Sequence, residues 1–135
     1  MSFDELMAIE VETKAKVGSR SSAVDLLKAK VPVDVITAEQ INSTGYTELS
    51  KVLERFVAGF NFPRTSITDG SDHIRPFTLR GMSPDQVLVL VNGKRLHASS
   101  LLHVNGAIGR GSTGVDLNSI PLRSIERIEV LRDGA

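Results

Sequence analysis

Apolar residues along this chain fall into two kinds of pattern. Residues 77–96 read FTLRGMSPDQVLVLVNGKRL, and at their centre residues 87–91 are five apolar side chains in a row, three of them valine. A half-exposed strand would alternate, so this unbroken, β-branched run predicts a strand covered on both faces. Ser83-Pro84-Asp85 ahead of it predicts a turn, with Pro84 presetting φ at the second position. Asn92-Gly93 behind it tolerates positive φ and predicts a two-residue hairpin. A companion strand is expected at 77–80, ended where Gly81 reaches backbone angles that a Cβ forbids. Phe77, Leu79 and Leu90 are expected in the core, and the 87–91 strand is expected to carry the packing of everything else.

The second pattern is helical. Leu49, Val52, Leu53, Phe56 and Val57 follow the i, i+3, i+4, i+7, i+8 spacing of one helix face, with Thr47 as the expected cap and Gly59 as the stop. A shorter helix is expected after Thr37, where Gln40 completes a capping box, and residues 42–45 break it. Further strands are expected at 31–36, with Pro32 at the entry, at 60–62 and at 128–131. Helical turns are expected at 116–121 and 124–127. Two polar loops remain: 64–75, with Asp69-Gly70 as a turn, and 96–115, rich in glycine and serine. Loops of the second length are usually functional or disordered. Residues 3–16 suggest a short helix and then an extended segment, 18–22 a linker, with mobility expected to about residue 26. The class is therefore α+β, a small mixed β-sheet with short helices and long loops.

Composition narrows this only a little. A chain of 135 residues is one domain with a core of its own. Sixteen basic and sixteen acidic residues cancel, which removes any net-charge argument for nucleic acid or an anionic membrane surface. With no cysteine there is neither a disulfide nor a thiolate metal site. No apolar run approaches the ~20 residues of a membrane helix. The first twelve residues carry four acids and no base, unlike a signal peptide; if the chain is exported, its leader has been removed and Met1 is an added residue.

Motifs with chemical meaning are few. Residues 109–114, GRGSTG, match G-x-G-x-x-G, but no strand precedes them and Pro121 arrives before any sustained helix, so a dinucleotide cradle is not expected. His73, His97 and His103 lie in the two long loops without converging ligands, so surface histidines are expected, with no metal and no cofactor. Asp69, Asp72 and His73 form either a polar cluster or a solvated loop. Ser99, Ser100, His97 and His103 share one loop, but there is no nucleophile elbow and no rigid element to hold a catalytic set, so catalysis is not expected. Arg80 and Arg132 each follow a leucine at a predicted strand end, where a guanidinium wants a carboxylate or carbonyls.

Taken in order, VPVDVITAEQ at 31–40, FTLRGM at 77–82, VLVLVNGKRL at 87–96 and VDLNSIPLRSIERIEVLRDG at 115–134 resemble the plug domain of TonB-dependent outer-membrane receptors. The resemblance implies a non-enzymatic globule filling the lumen of a large β-barrel in the bacterial outer membrane, its N-terminus facing the periplasm. Such receptors take up iron–siderophore complexes, haem, cobalamin or similar nutrients, energised through TonB. It further implies that residues 1–17 hold a TonB box, the only candidate being Ile9, Val11, Thr13, Ala15 and Val17 as alternate positions of an added strand that meets the TonB C-terminal domain. Residues 18–135 would be the plug, lacking its last strand and its barrel. Arg80 and Arg132 match arginines that pair with barrel glutamates; away from the barrel they are expected to be solvated or to find substitutes. The loops 62–75 and 97–115 would face outward to a small nutrient ligand, through Arg64, Asp69, Asp72, His73, Arg75, His97, His103 and Arg110. Two departures stand out: residues 56–59 lack the family's Leu-Pro-Gly turn, and an uncovered sheet edge invites self-association. The rival reading is a free-standing soluble α/β domain whose glycine-rich loop grips a small ligand.

Overall fold

The computed structural model describes residues 14–15, 24–25, 32–66, 70–104 and 106–132. Its main sheet has four strands: β3 (Val33–Thr37), β8 (Arg127–Leu131), β6 (Val89–Val91) and β7 (Lys94–Arg95), in that spatial order. Every pairing in it is antiparallel, with Val35 opposite Glu129, Leu90 opposite Glu129, and Val91 opposite Lys94. The outer pairs are β1 (Lys14–Ala15) with β2 (Val24–Asp25), and β4 (Phe60–Asn61) with β5 (Thr78–Leu79). The expected α+β class holds.

The strand that joins the sheet together is β8, which is paired along all five of its residues with β3 and then again with β6. The expectation that residues 87–91 play this part is corrected: only Val89–Val91 are strand. The reason lies just upstream. Pro84–Gln86 form a 3-10 turn, and the Ser83 amide donates to Gln86 Oε1 at 3.3 Å, so the chain becomes extended only after it leaves that turn. The hairpin signal is met as expected: Asn92 and Gly93 have φ of 51° and 73°, and β6 turns directly into β7.

Two helices pack on one face of the sheet. Thr37 caps α1 (Ala38–Ser43) with the reciprocal capping box predicted from Gln40. Helix α2 (Leu49–Phe56) begins one residue later than expected: Glu48, not Thr47, is its N-cap, and it makes no side-chain capping bond. Its predicted apolar stripe is buried at Leu49, Val52, Leu53 and Val57. These meet Ile128 and Val130 of β8, Val89 and Val91 of β6, and a stack of Phe60, Phe62 and Phe77 whose ring centroids lie 5.3–6.4 Å apart. The reverse sheet face is smaller, with Leu90 and Leu131 at its centre. It also buries Glu129, paired with Arg127 at 3.0 Å. Both faces of the strand are thus covered, as its unbroken apolar run requires.

The last predicted turns shift slightly. Leu117–Ser119 form one 3-10 turn, with Asp116 accepting from the Asn118 amide, and Leu122–Ser124 form the next, where 124–127 was expected. Pro121, with φ fixed near its required value, starts that turn and leaves Arg127 free to open β8. The helix and linker expected within 3–22 fall mostly outside the described residues, as do Asp69 and the end of the last matched segment.

Candidate functional site

The two strand-end arginines are held differently. Arg132 is paired within the chain: its Nε donates to Asp34 Oδ2 at 2.7 Å and its terminal nitrogen reaches Oδ1, a two-pronged carboxylate contact across the β3–β8 ends. The planar guanidinium suits this geometry where an ammonium would not. Arg80 is exposed and stands in the left-handed region, φ 52°, between β5 and Gly81. Its amide donates to the Gly59 carbonyl at 3.0 Å, and a Cβ on Gly59 would lie 3.2 Å from Arg80 Cγ. A non-glycine residue in that conformation costs roughly 1–2 kcal/mol, which the surrounding packing must offset.

The two long loops meet each other. In the first, Ser71 is fully buried and the Gly70 carbonyl accepts from the amides of His73 and Ile74, each at 3.1 Å. In the second, the chain folds back on itself: the His103 amide donates to the Ser112 carbonyl at 3.0 Å, the Gly111 amide to the His103 carbonyl at 2.8 Å, and the Ser99 amide to the Gly114 carbonyl at 2.8 Å. The loops are joined by Ser71 Oγ and His103 Nδ1, 2.9 Å apart, and by Leu101 lying against Gly70. The expected surface position is therefore corrected for His103, which has 0% exposure; His73 and His97 are exposed. Burial lowers the His103 pKa below its ordinary value, because the charged ring would lose water that this site does not replace.

The glycine-rich motif finds its explanation in this packing. At Gly109, φ is 72° and a Cβ would stand 2.5 Å from Pro84 Cδ; at Gly114 it would stand 3.5 Å from His103 Nε2. Gly109 thus lets the loop lie against the Pro84 turn, a packing need that sequence spacing does not distinguish from a phosphate cradle, whereas a Cβ at Gly114 would make only ordinary contact with the histidine ring. The Ser71–His103 pair resembles part of a catalytic set, but both side chains are sealed at 0% exposure, so no substrate carbonyl reaches them.

The remaining candidates divide into engaged and open groups. Arg64 and Arg75 approach the same carboxylate oxygen of Glu48, at 2.9 and 3.8 Å, tying the first loop to the start of α2. His73 lies 3.8 Å from Asp72. His97 borders a groove of about 500 Å³ with Asp85, Arg95, Phe77 and Val89, and Arg110 is exposed on the second loop. Of the N-terminal candidates, Ala15 lies in β1, whereas Ile9, Val11, Thr13 and Val17 lie outside the described residues. Among the described residues there is no cluster of three metal-ligating side chains, and no helix is long and apolar enough to cross a membrane. Sequence reasoning missed Ser71, Glu48 and Glu129; none has a motif, and only three-dimensional convergence reveals them.

Comparison with known proteins gives a consistent picture. The family model described as TonB-dependent Receptor Plug Domain matches residues 25–135. The chain is 34% identical over 110 residues to the ferric enterobactin receptor PirA of Pseudomonas aeruginosa, covering 81% of this chain and 15% of that protein. It is 32% identical over 114 residues to the probable TonB-dependent siderophore receptor PirA of Acinetobacter baumannii, covering 84% and 15%. It is 33% identical over 129 residues to the vitamin B12 transporter BtuB of Vibrio vulnificus, covering 94% and 19%. The chain therefore spans less than a fifth of the length of these relatives. No solved structure gives a significant match.

Proposed function

This chain belongs to the TonB-dependent receptor plug family, and from that premise we propose that it is the gating and ligand-contact module of an outer-membrane nutrient transporter. The single observation that carries the proposal is the family match over residues 25–135, four-fifths of the chain. It favours this reading over a free-standing soluble binding domain. The cargo proposed is a scarce nutrient of the siderophore or cobalamin class, the two classes named among the relatives. No step of this function is catalytic.

In this reading residues 18–135 fill a barrel lumen in the bacterial outer membrane, and residues 1–17 face the periplasm. Ile9, Val11, Thr13, Ala15 and Val17 meet the TonB C-terminal domain by strand addition, where backbone bonds supply affinity and alternate side chains set register. Arg80 and Arg132 face barrel carboxylates; Arg80 is exposed at one strand end, and Arg132 at the other would exchange or share its Asp34 partner. The exposed Arg64, His73, His97 and Arg110 and the partly exposed Asp72 and Arg75 of the two joined loops contact the nutrient, and Asp69 belongs to the same segment.

The absence of cysteine makes the test direct. A chain carrying Thr13→Cys is mixed under mild oxidation with the TonB C-terminal domain bearing one cysteine on its exposed strand edge, beside a Ser119→Cys control. Cross-linking at position 13 alone is expected. Equal yields at both positions, or none at either, would contradict the TonB contact.

A further inference from the structure

We propose that His103 is a positioning residue, holding the two ligand-facing loops as one body while its ring is neutral and releasing them when the ring is protonated. The inference rests on the reading of those loops as the nutrient-contacting surface, and concerns how that surface is regulated.

The argument starts from where the ring sits. His103 is the one buried histidine, and its Nδ1 bridges to Ser71 Oγ at 2.9 Å. Ser71 is itself fixed, since its carbonyl accepts from Thr65 Oγ1 at 3.1 Å. The bond therefore connects two segments 32 residues apart in sequence, beside the contact of Leu101 with Gly70. The other ring nitrogen, Nε2, is buried without a protein hydrogen-bond partner among the described residues and faces Gly114. A neutral imidazole needs one donor and one acceptor, and one good bond keeps it in place; an imidazolium brings a charge and a second N–H that this site does not satisfy. The flanking residues Leu102 and Val104 are exposed, so the ring's position decides how an apolar and basic loop surface is presented.

Among the described residues no neighbouring charge offsets this. On the first segment Asp72 is near His73, and Arg75 is near Glu48; on the second the charged or titratable groups are His97 and Arg110, with Asp85 on the Pro84 turn and Asp116 beyond Val115. The lowered pKa of His103 has burial as its cause, not any of these. Its sign follows: the folded chain is most stable above the ordinary value of about 6.5, where both states are neutral. As pH falls below that, the unfolded or opened chain takes the proton first, and the joined state loses ground until the lowered folded value is passed.

The test is a titration of the full 135-residue chain, isotope-labelled, followed by histidine-ring and amide NMR from pH 8 to 5. The His103 ring is expected to titrate below about 6.5, with amides of 70–75 and 97–115 following that one midpoint. Ser71→Ala is expected to speed amide exchange in both segments by roughly tenfold, the loss of one buried hydrogen bond. His103→Asn keeps a polar atom near the place of Nδ1 and cannot be protonated; it is expected to retain slow exchange and lose the shared pH response. A ring midpoint at or above 6.5, separate midpoints for the two segments, or a pH response surviving His103→Asn would overturn the proposal. The wild-type titration reads the midpoint without any variant, so the test stands even where Ser71→Ala fails to fold. Failure here leaves the TonB contact standing, whereas absence of the TonB contact would strike that contact alone and leave the family assignment and the Ser71–His103 link untouched.

Discussion

The helix-covered sheet and the paired loops both exclude water from their centres, but with different materials. Between the sheet and α2 the contents are Val52, Leu53, Ile128 and Val130, all at 0% exposure and all apolar. Between the loops they are Ser71, His103 and Ser112, with glycines packed against Pro84 and Leu101. The first kind of interior is non-directional and tolerates small movements. The second depends on particular bonds and close approaches, so it opens when a single partner changes. A gating module needs such a division: a body that stays folded and a surface whose arrangement is conditional.

The largest effect that would test this division lies in the body. Leu53→Ala removes a fully buried side chain beneath the sheet and is expected to lower global stability by about 3 kcal/mol, read from the denaturant midpoint. Gly109→Ala should cost about 2 kcal/mol, from its positive φ and the contact with Pro84, but in a different place. Its signature is faster amide exchange within 97–115 with a smaller change in the global midpoint. If it instead lowers the midpoint as far as Leu53→Ala does, the loops and the sheet are one cooperative unit and the comparison fails. Asp34→Ala should cost the least, about 1 kcal/mol, because solvent reaches roughly a third of the Arg132 side chain (35%) and screens the pair. That loss should shrink in 1 M salt, which a purely packing role for Asp34 would not allow.

How much of this was legible in the sequence follows the same line. The apolar spacing of α2, the Thr37–Gln40 box and the Asn92-Gly93 hairpin are local patterns, set by neighbours within a few residues, and all three are present in the structure. The part taken by β8 was not legible, because pairing on both sides is a property of topology and not of Arg127–Leu131 themselves. His103 was misplaced for a related reason. A histidine among serines and glycines carries the composition of a solvated loop, and its burial depends on Ser71 arriving from 32 residues away. Asn92 shows both cases at once: its turn is local, while its side chain accepts from the Glu126 and Arg127 amides at 2.7 and 3.1 Å and so fixes the start of β8.

The central claim is that this chain is coupled to TonB through its first residues. It is tested most directly by titrating the isotope-labelled chain with the periplasmic C-terminal domain of TonB and following every amide signal. The account predicts shifts concentrated in residues 9–17, with the signals of α2 and β8 unmoved at first contact. A folded spectrum that never responds, or one whose changes centre on the sheet, would contradict it.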